Sequence, residues 1–182
     1  MVIFDVDGTI VDTPRLWLRY VADLAKCEFN LNFFNYYESF EEILNKPDLS
    51  KYPVYDFWDN PCLYDGLTPF EKAVEFYEEL KNNNEEVLFV SDSNKYPNHI
   101  KSKINFINFY FRGNDGFIST DKKWHIKADM IIDDNPNILG LYKYYHPEAV
   151  LYLSDNFYNK TLKKQDGIYS LDDFTRIELR DF

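Results

Sequence analysis

Three short apolar runs in this chain each stop at a polar, acid-rich turn. Val2–Phe4 ends at Asp5-Val-Asp7-Gly8-Thr9, Val87–Val90 at Ser91-Asp92-Ser93-Asn94, and Met130–Ile132 at Asp133-Asp134-Asn135-Pro136. Apolar runs this short, bounded by turn formers, read as buried strands. Segments of helical period separate them, and no other feature limits the fold as strongly. Consecutive strands joined through helices need right-handed crossovers, which give a mainly parallel sheet covered on both faces.

The expected architecture is therefore α/β: a three-layer, Rossmann-like, mainly parallel sheet. In such a sheet the carboxyl ends of the strands share one edge, so the three acidic loops are predicted to converge where open α/β folds place their sites. From Pro14 to about Asn30, Leu16, Tyr20, Leu24 and Cys27 mark a helix with a proline in its first turn. Residues 31–66 are aromatic, interrupted by proline and irregular, with a short helix expected over Phe40–Asn45. Thr68 is an N-cap candidate with Pro69 at N1 and Glu71 at N3, opening a helix whose face is Phe70, Val74, Tyr77 and Leu80. Ile100, Ile104, Ile107 and Tyr110 or Phe111 mark another helix, and Ile138–Tyr145 a third. Phe117–Ile118 and Ala149–Leu153 complete the expected strands.

Composition narrows the class. With 182 residues the chain can bury about two-thirds of its unfolded surface, enough for a core without disulfides or a structural metal. Its two cysteines, Cys27 and Cys62, lack metal-ligand spacing and a neighbouring basic cluster, which fits a reducing compartment and inert thiols. No 18-residue apolar stretch predicts a membrane span. The opening residues are acidic where a signal peptide needs a positive region. A soluble, cytoplasmic protein is expected. The net charge of -11 disfavours a partner such as long nucleic acid, because phosphate neutralisation needs a basic patch.

The first loop carries the sharpest chemistry. Asp5 and Asp7, two apart at a strand end, leave on the same side. Two carboxylates held together repel unless a cation or a proton intervenes, and a hard divalent ion with oxygen ligands is the natural partner. Gly8 lets the chain turn sharply and Thr9 offers a hydroxyl.

Asp-Val-Asp-Gly-Thr after a strand, Val87-Leu-Phe-Val-Ser91, a lysine at 122 or 123, and Ile131-Ile-Asp133-Asp134 follow in that order. The set resembles the four motifs of the haloacid dehalogenase superfamily of phosphotransferases, over residues 1–13 and about 67–155. Within it, Asp121-Lys-Lys123-Trp-His-Ile-Lys-Ala128-Asp129 through Pro136, with Phe70-Glu-Lys-Ala73, is similar to the 5′(3′)-deoxyribonucleotidases. That family's Lys–x9–Asp-Asp spacing selects Lys123 over Lys122. Two departures bear on nucleoside specificity: Ser91-Asp92-Ser93 replaces Thr-Ser-Pro, and Thr13 stands where the family has an aromatic.

The resemblance implies a haloacid dehalogenase-like core (residues 1–13 and 67–182) with a small, mostly helical cap inserted after the first strand (residues 14–66). It also implies a Mg²⁺-dependent phosphatase of nucleoside monophosphates. Asp5 would attack phosphorus to form an aspartyl-phosphate, and Asp7 would protonate the leaving oxygen and then activate water. The metal would lie between Asp5, the backbone carbonyl of Asp7, and Asp133 or Asp134. Ser91 with Asp92, and Lys123, would bind phosphate, and Trp58 falls at the family's nucleoside pocket. Trp58 reads equally as cap core, and Phe33, Phe34, Tyr36, Tyr37 and Phe57 mainly as core. Lys95, four residues after Ser91, reads first as an exposed helix-start lysine, with a share in holding phosphate as the alternative. His99, His125 and His146 read as surface or core. A polynucleotide 3′-phosphatase, another small-molecule phosphatase and a catalytically silent binding protein stay open as alternatives, as does a homodimer against a monomer.

Overall fold

A computed structural model describes residues 1–26, 49, 51–93, 95–154 and 167–170. Phe33, Phe34, Tyr36, Tyr37, Cys27 and the helix expected over Phe40–Asn45 lie outside the described residues. Six strands form one sheet: β1 (Val2–Phe4), β2 (Val87–Ser91), β3 (Phe117–Ser119), β4 (Met130–Asp133), β5 (Val150–Leu153) and β6 (Ile168–Ser170), in the order β3-β2-β1-β4-β5-β6. Every pairing is parallel, with Phe4 level with Phe89 on one side and Ile132 on the other. β6 was not foreseen from the sequence.

The alternation of side chains along these strands builds the layers. Val2, Phe4, Phe89, Met130 and Ile132 face one core, covered by Phe76, Tyr77 and Leu80 of α2 (Glu71–Asn82) and Phe106 and Ile107 of α3 (Ile100–Tyr110). Ile3, Val90, Ile131, Leu151 and Leu153 face the other, covered by Leu139 and Tyr142 of α4 (Pro136–Tyr145). The fold is the expected three-layer α/β sandwich.

Two boundaries differ from the sequence reading. The helix expected to begin at Thr68 starts at Glu71, after an extended Phe70 that caps it without a side-chain bond. Phe70 N–H donates to Ile10 O at 2.8 Å, so the 67–70 stretch is tied to the first loop before the helix can begin. The 100–110 helix buries Ser102, Lys103, Phe106 and Ile107, a face rotated from the expected Ile100/Ile104/Ile107 line.

α1 (Thr13–Ala25) opens on Asp12, whose carboxylate accepts from Arg15 N–H, and closes on Lys26 in the left-handed region. Its buried face meets the segment after residue 49: Trp17 Nε1 donates to Val54 O at 2.9 Å, and the Tyr20 and Phe57 rings lie 5.6 Å apart.

Candidate active site

Chain order in the sheet reverses at β1. The chain steps outward through β2 and β3, then restarts on the other side of β1 with β4, β5 and β6. Loops after β1 and β4 therefore diverge and leave a crevice at the carboxyl edge. A cleft of about 370 Å³ occupies it, lined by Asp5, Asp7, Ser91, Lys123, Asp133 and Asp134 at its floor. That size suits a small-molecule ligand.

Asp5 extends the ladder by one residue, its N–H donating to Ile132 O at 2.9 Å, so its carboxylate leaves the sheet at the edge. The loop then folds tightly: Gly8, at φ 78°, donates to Val11 O at 2.8 Å. A positive φ favours glycine there. Thr9, wholly buried, sends its hydroxyl to Asp5 Oδ2 at 3.3 Å.

Asp133 ends β4 and Asp134 follows it. Oxygens of Asp5, Asp133 and Asp134 lie within 4.8 Å of one another, all three side chains buried. Lys123 enters from a 3-10 turn (Lys123–His125) and lies 2.6 Å from both Asp5 Oδ1 and Asp133 Oδ2. Burial would lower the lysine's proton affinity, but Asp133 and Asp5 together raise it, so the ammonium is firmly charged. Burial pushes the Asp133 carboxyl up to about 6, with Lys123 opposing and Asp5 adding to the rise. Asn135 N–H holds Asp133 Oδ1 at 2.8 Å, while the Asn135 side chain caps α4. Lys122 is exposed and has no part in this cluster.

Asp7 faces away from that cluster. Its Oδ2 lies 2.7 Å from Lys103 Nζ and 3.3 Å from Ser91 Oγ, and its Oδ1 accepts from Thr13 at 2.7 Å and from Tyr64. Burial would raise its pKa, but the Lys103 charge and these hydrogen bonds outweigh it and hold the carboxyl below the usual range. Burial and the Asp7 charge push the Tyr64 phenol well up. Lys103 and Tyr64 were not among the residues singled out for the site, and Thr13 entered only as a departure from the family's aromatic. Lys103 had a signal: a lysine three and four residues before Phe106 and Ile107 sits on an apolar helix face.

The cleft's upper wall carries Tyr55, Trp58, Asp92, Lys95, Tyr96 and His99. Trp58 is half-buried, packed against the main core and edge-on to Phe57 at 4.9 Å, and it also lines the cleft. Asp92 and Lys95 are exposed, whereas His99 is buried between Tyr64 and Tyr96. Cys62 is exposed, and Asp65 pushes its thiol up, which disfavours a reactive thiolate.

Comparison with solved structures identifies the fold. A haloacid dehalogenase-like hydrolase of Burkholderia xenovorans superposes with a TM-score of 0.60 at 14% identity, covering 98% of this chain and 95% of that one. A HAD hydrolase of Entamoeba histolytica gives 0.53 at 17%, covering 93% and 91%, and a HAD-superfamily hydrolase of Ehrlichia chaffeensis 0.52 at 16%, covering 93% and 89%. The fold is that of the haloacid dehalogenase-like hydrolases. No curated protein sequence matches the chain. Over residues 1–176 it matches, and belongs to, the family described as 5′ nucleotidase, deoxy (pyrimidine), cytosolic type C protein. It is thus an enzyme of the phosphatase and nucleotidase class. Among the described residues, no helix is long and apolar enough to cross a membrane.

Proposed function

We propose that the protein is a Mg²⁺-dependent phosphatase of nucleoside monophosphates, deoxyribonucleotides foremost. The observation that carries this is the meeting of Asp5, Asp133 and Asp134 with Lys123 at the switch point of the sheet. Six aspartates line the cleft (Asp5, Asp7, Asp92, Asp121, Asp133 and Asp134) against Lys95 and Lys123. A phosphate dianion could not enter that field unaided. Three buried carboxylates within reach of one point are a hard-oxygen donor set that suits Mg²⁺. Asp5 and Asp133 or Asp134 would hold the ion with the Asp7 carbonyl, and the ion would neutralise charge on the phosphoryl oxygens.

An Asp5 carboxylate oxygen attacks phosphorus, forming an O–P bond as the ester P–O bond breaks; Asp7, a carboxylate in the free enzyme, takes up the proton of the monoanionic ester on binding and passes it to the leaving oxygen. Asp7, now a carboxylate, takes a proton from water as the water oxygen bonds to phosphorus. The Asp5–phosphorus bond then breaks, releasing inorganic phosphate and free Asp5. Lys123 and the Ser91 hydroxyl stabilise the phosphoryl oxygens, with Asp92 beside them at the rim. Trp58 and Tyr55 line the cleft, and their rings would stack on a base.

The same reading assigns residues 14–66 as a cap on a core of residues 1–13 and 67–182. It also places the protein in the cytoplasm, which the family's cytosolic type supports. Phosphate release across deoxy- and ribonucleoside monophosphates, sugar phosphates and a 3′-phosphorylated oligonucleotide, with Mg²⁺ or EDTA, tests it. Release from nucleotides with Mg²⁺ alone is expected. Preference for the oligonucleotide, or full activity in EDTA, would overturn it.

A further inference from the structure

One buried cation has no part in that reaction scheme. Lys103 sits on the inner face of α3 with 0% of its surface exposed. An ammonium withdrawn from water is costly unless it is paired. Here Nζ lies 2.7 Å from Asp7 Oδ2, 2.8 Å from Ser91 Oγ and 2.8 Å from Ser93 Oγ. An ammonium has three protons to give, so none is left for a substrate. The Tyr64 ring centroid lies 5.4 Å from the same nitrogen, and the Tyr64 hydroxyl donates to the other Asp7 oxygen. Asp7 is therefore gripped at both oxygens. Asp7 and Ser91 line the cleft; Lys103 and Tyr64 are not among its lining residues.

We propose that Lys103 and Tyr64 are positioning residues that aim the Asp7 carboxyl at the leaving oxygen, with Lys103 fixing the Ser91 hydroxyl at the same time. The inference rests on the phosphatase reading above. Asp7 needs such help because it stands in a loop, where the backbone places its Cα but leaves the carboxyl free to rotate. The donors are themselves anchored. Lys103 rides on a helix whose Phe106 and Ile107 are locked in the core. Tyr64 N–H donates to Ser102 Oγ at 3.2 Å, that hydroxyl donates to Asp65 at 2.8 Å, and the Tyr64 ring packs on Phe106 at 5.8 Å. Neutralising Asp7 would need only the lysine. The phenol and the two serines add direction, which matters because a displacement of about 1 Å can cost roughly a hundredfold in rate.

Leaving-group chemistry separates positioning from mere support. A nucleoside alkoxide needs a proton as it departs, and a p-nitrophenolate hardly does. We would measure kcat and KM for wild type, Tyr64→Phe and Lys103→Met on a deoxynucleoside monophosphate and on p-nitrophenyl phosphate, with melting temperatures alongside. General acid catalysis contributes about 10²–10⁴-fold. On that scale Tyr64→Phe should lower nucleotide kcat about tenfold and Lys103→Met about a hundredfold, with nucleotide KM nearly unchanged. The loss on the aryl ester should be at least about tenfold smaller for Lys103→Met. If Lys103→Met does not fold, Tyr64→Phe decides alone, since it deletes one oxygen and keeps the ring. Losses equal on both esters, or absent from both, would overturn the positioning role. A wild type that releases phosphate from neither ester would instead overturn the proposed function, and this role with it.

Discussion

Replacing Lys123 by methionine deletes a charge while keeping most of the stem. The ammonium stands 2.6 Å from both Asp5 and Asp133, and the side chain is 6% exposed. Its loss strands three carboxylates whose oxygens lie within 4.8 Å. Removing one partner of a buried ion pair costs about 3–5 kcal/mol. Two pairs break here, which pushes toward the upper end, but a proton offsets part of the loss. Burial already holds the Asp133 carboxyl up at about 6, and without Lys123 it rises further.

The net expectation for Lys123→Met in EDTA at neutral pH is a loss of about 3–5 kcal/mol. At about 2–4 °C per kcal/mol for a chain of this size, the melting temperature should fall by about 6–20 °C. The sign with pH follows from linkage. A carboxyl whose folded pKa lies above its unfolded value binds more protons when folded, so the variant should lose stability as pH rises from about 4 through its elevated folded pKa. At the proposed metal site Mg²⁺ would bind the folded state and replace the missing charge, so it should raise the variant's melting temperature more than the wild type's. Thermal melts by circular dichroism from acid to neutral pH, with EDTA or Mg²⁺, read all three effects. A variant that melts with wild type in EDTA at neutral pH, and shows no pH slope, would refute the electrostatic picture of the cluster.

Trp58→Ala should raise KM for nucleotides roughly five- to a hundredfold, from about 1–3 kcal/mol per stacked base, while p-nitrophenyl phosphate kinetics hold. Equal losses on both substrates with a lowered melting temperature would make Trp58 core only. Asn135→Ala removes the cap of α4 and should cost about 0.5–2 kcal/mol in a denaturant titration, and an unchanged midpoint would contradict the capping role.

Strands β1, β2 and β4 were legible because each is a run of apolar residues stopped by a polar turn, and parallel pairing makes Asp5, Ser91 and Asp133 neighbours at one edge. Lys123 was separable from Lys122 only through resemblance. The structure adds a physical difference: Lys123 is buried against two carboxylates and Lys122 is exposed. Lys103 was masked by its charge, since its spacing put it on the apolar face. Counting from Ile100 gives the apolar line Ile100, Ile104, Ile107, and Lys103, three residues after Ile100 and four before Ile107, borders it as a charged residue that apolar counting passes over. The 3-10 turn at Pro97–His99 leads into the helix, and the face turned to the core is Ser102, Lys103, Phe106 and Ile107. Tyr64 lay in an aromatic stretch where nothing distinguished one tyrosine from the next. β6 is three residues long, with no apolar run to announce it.

The most direct measurement asks whether phosphorus ever bonds to Asp5. Wild-type protein with Mg²⁺ and a deoxynucleoside monophosphate would be quenched in acid within one turnover, digested and examined by mass spectrometry. The account predicts one added phosphoryl group on the peptide carrying Asp5, absent in Asp5→Asn, whose turnover should fall by several orders of magnitude while its fold is retained. An unmodified Asp5 peptide during active turnover, or an Asp5→Asn variant keeping about a tenth of wild-type rate, would contradict it.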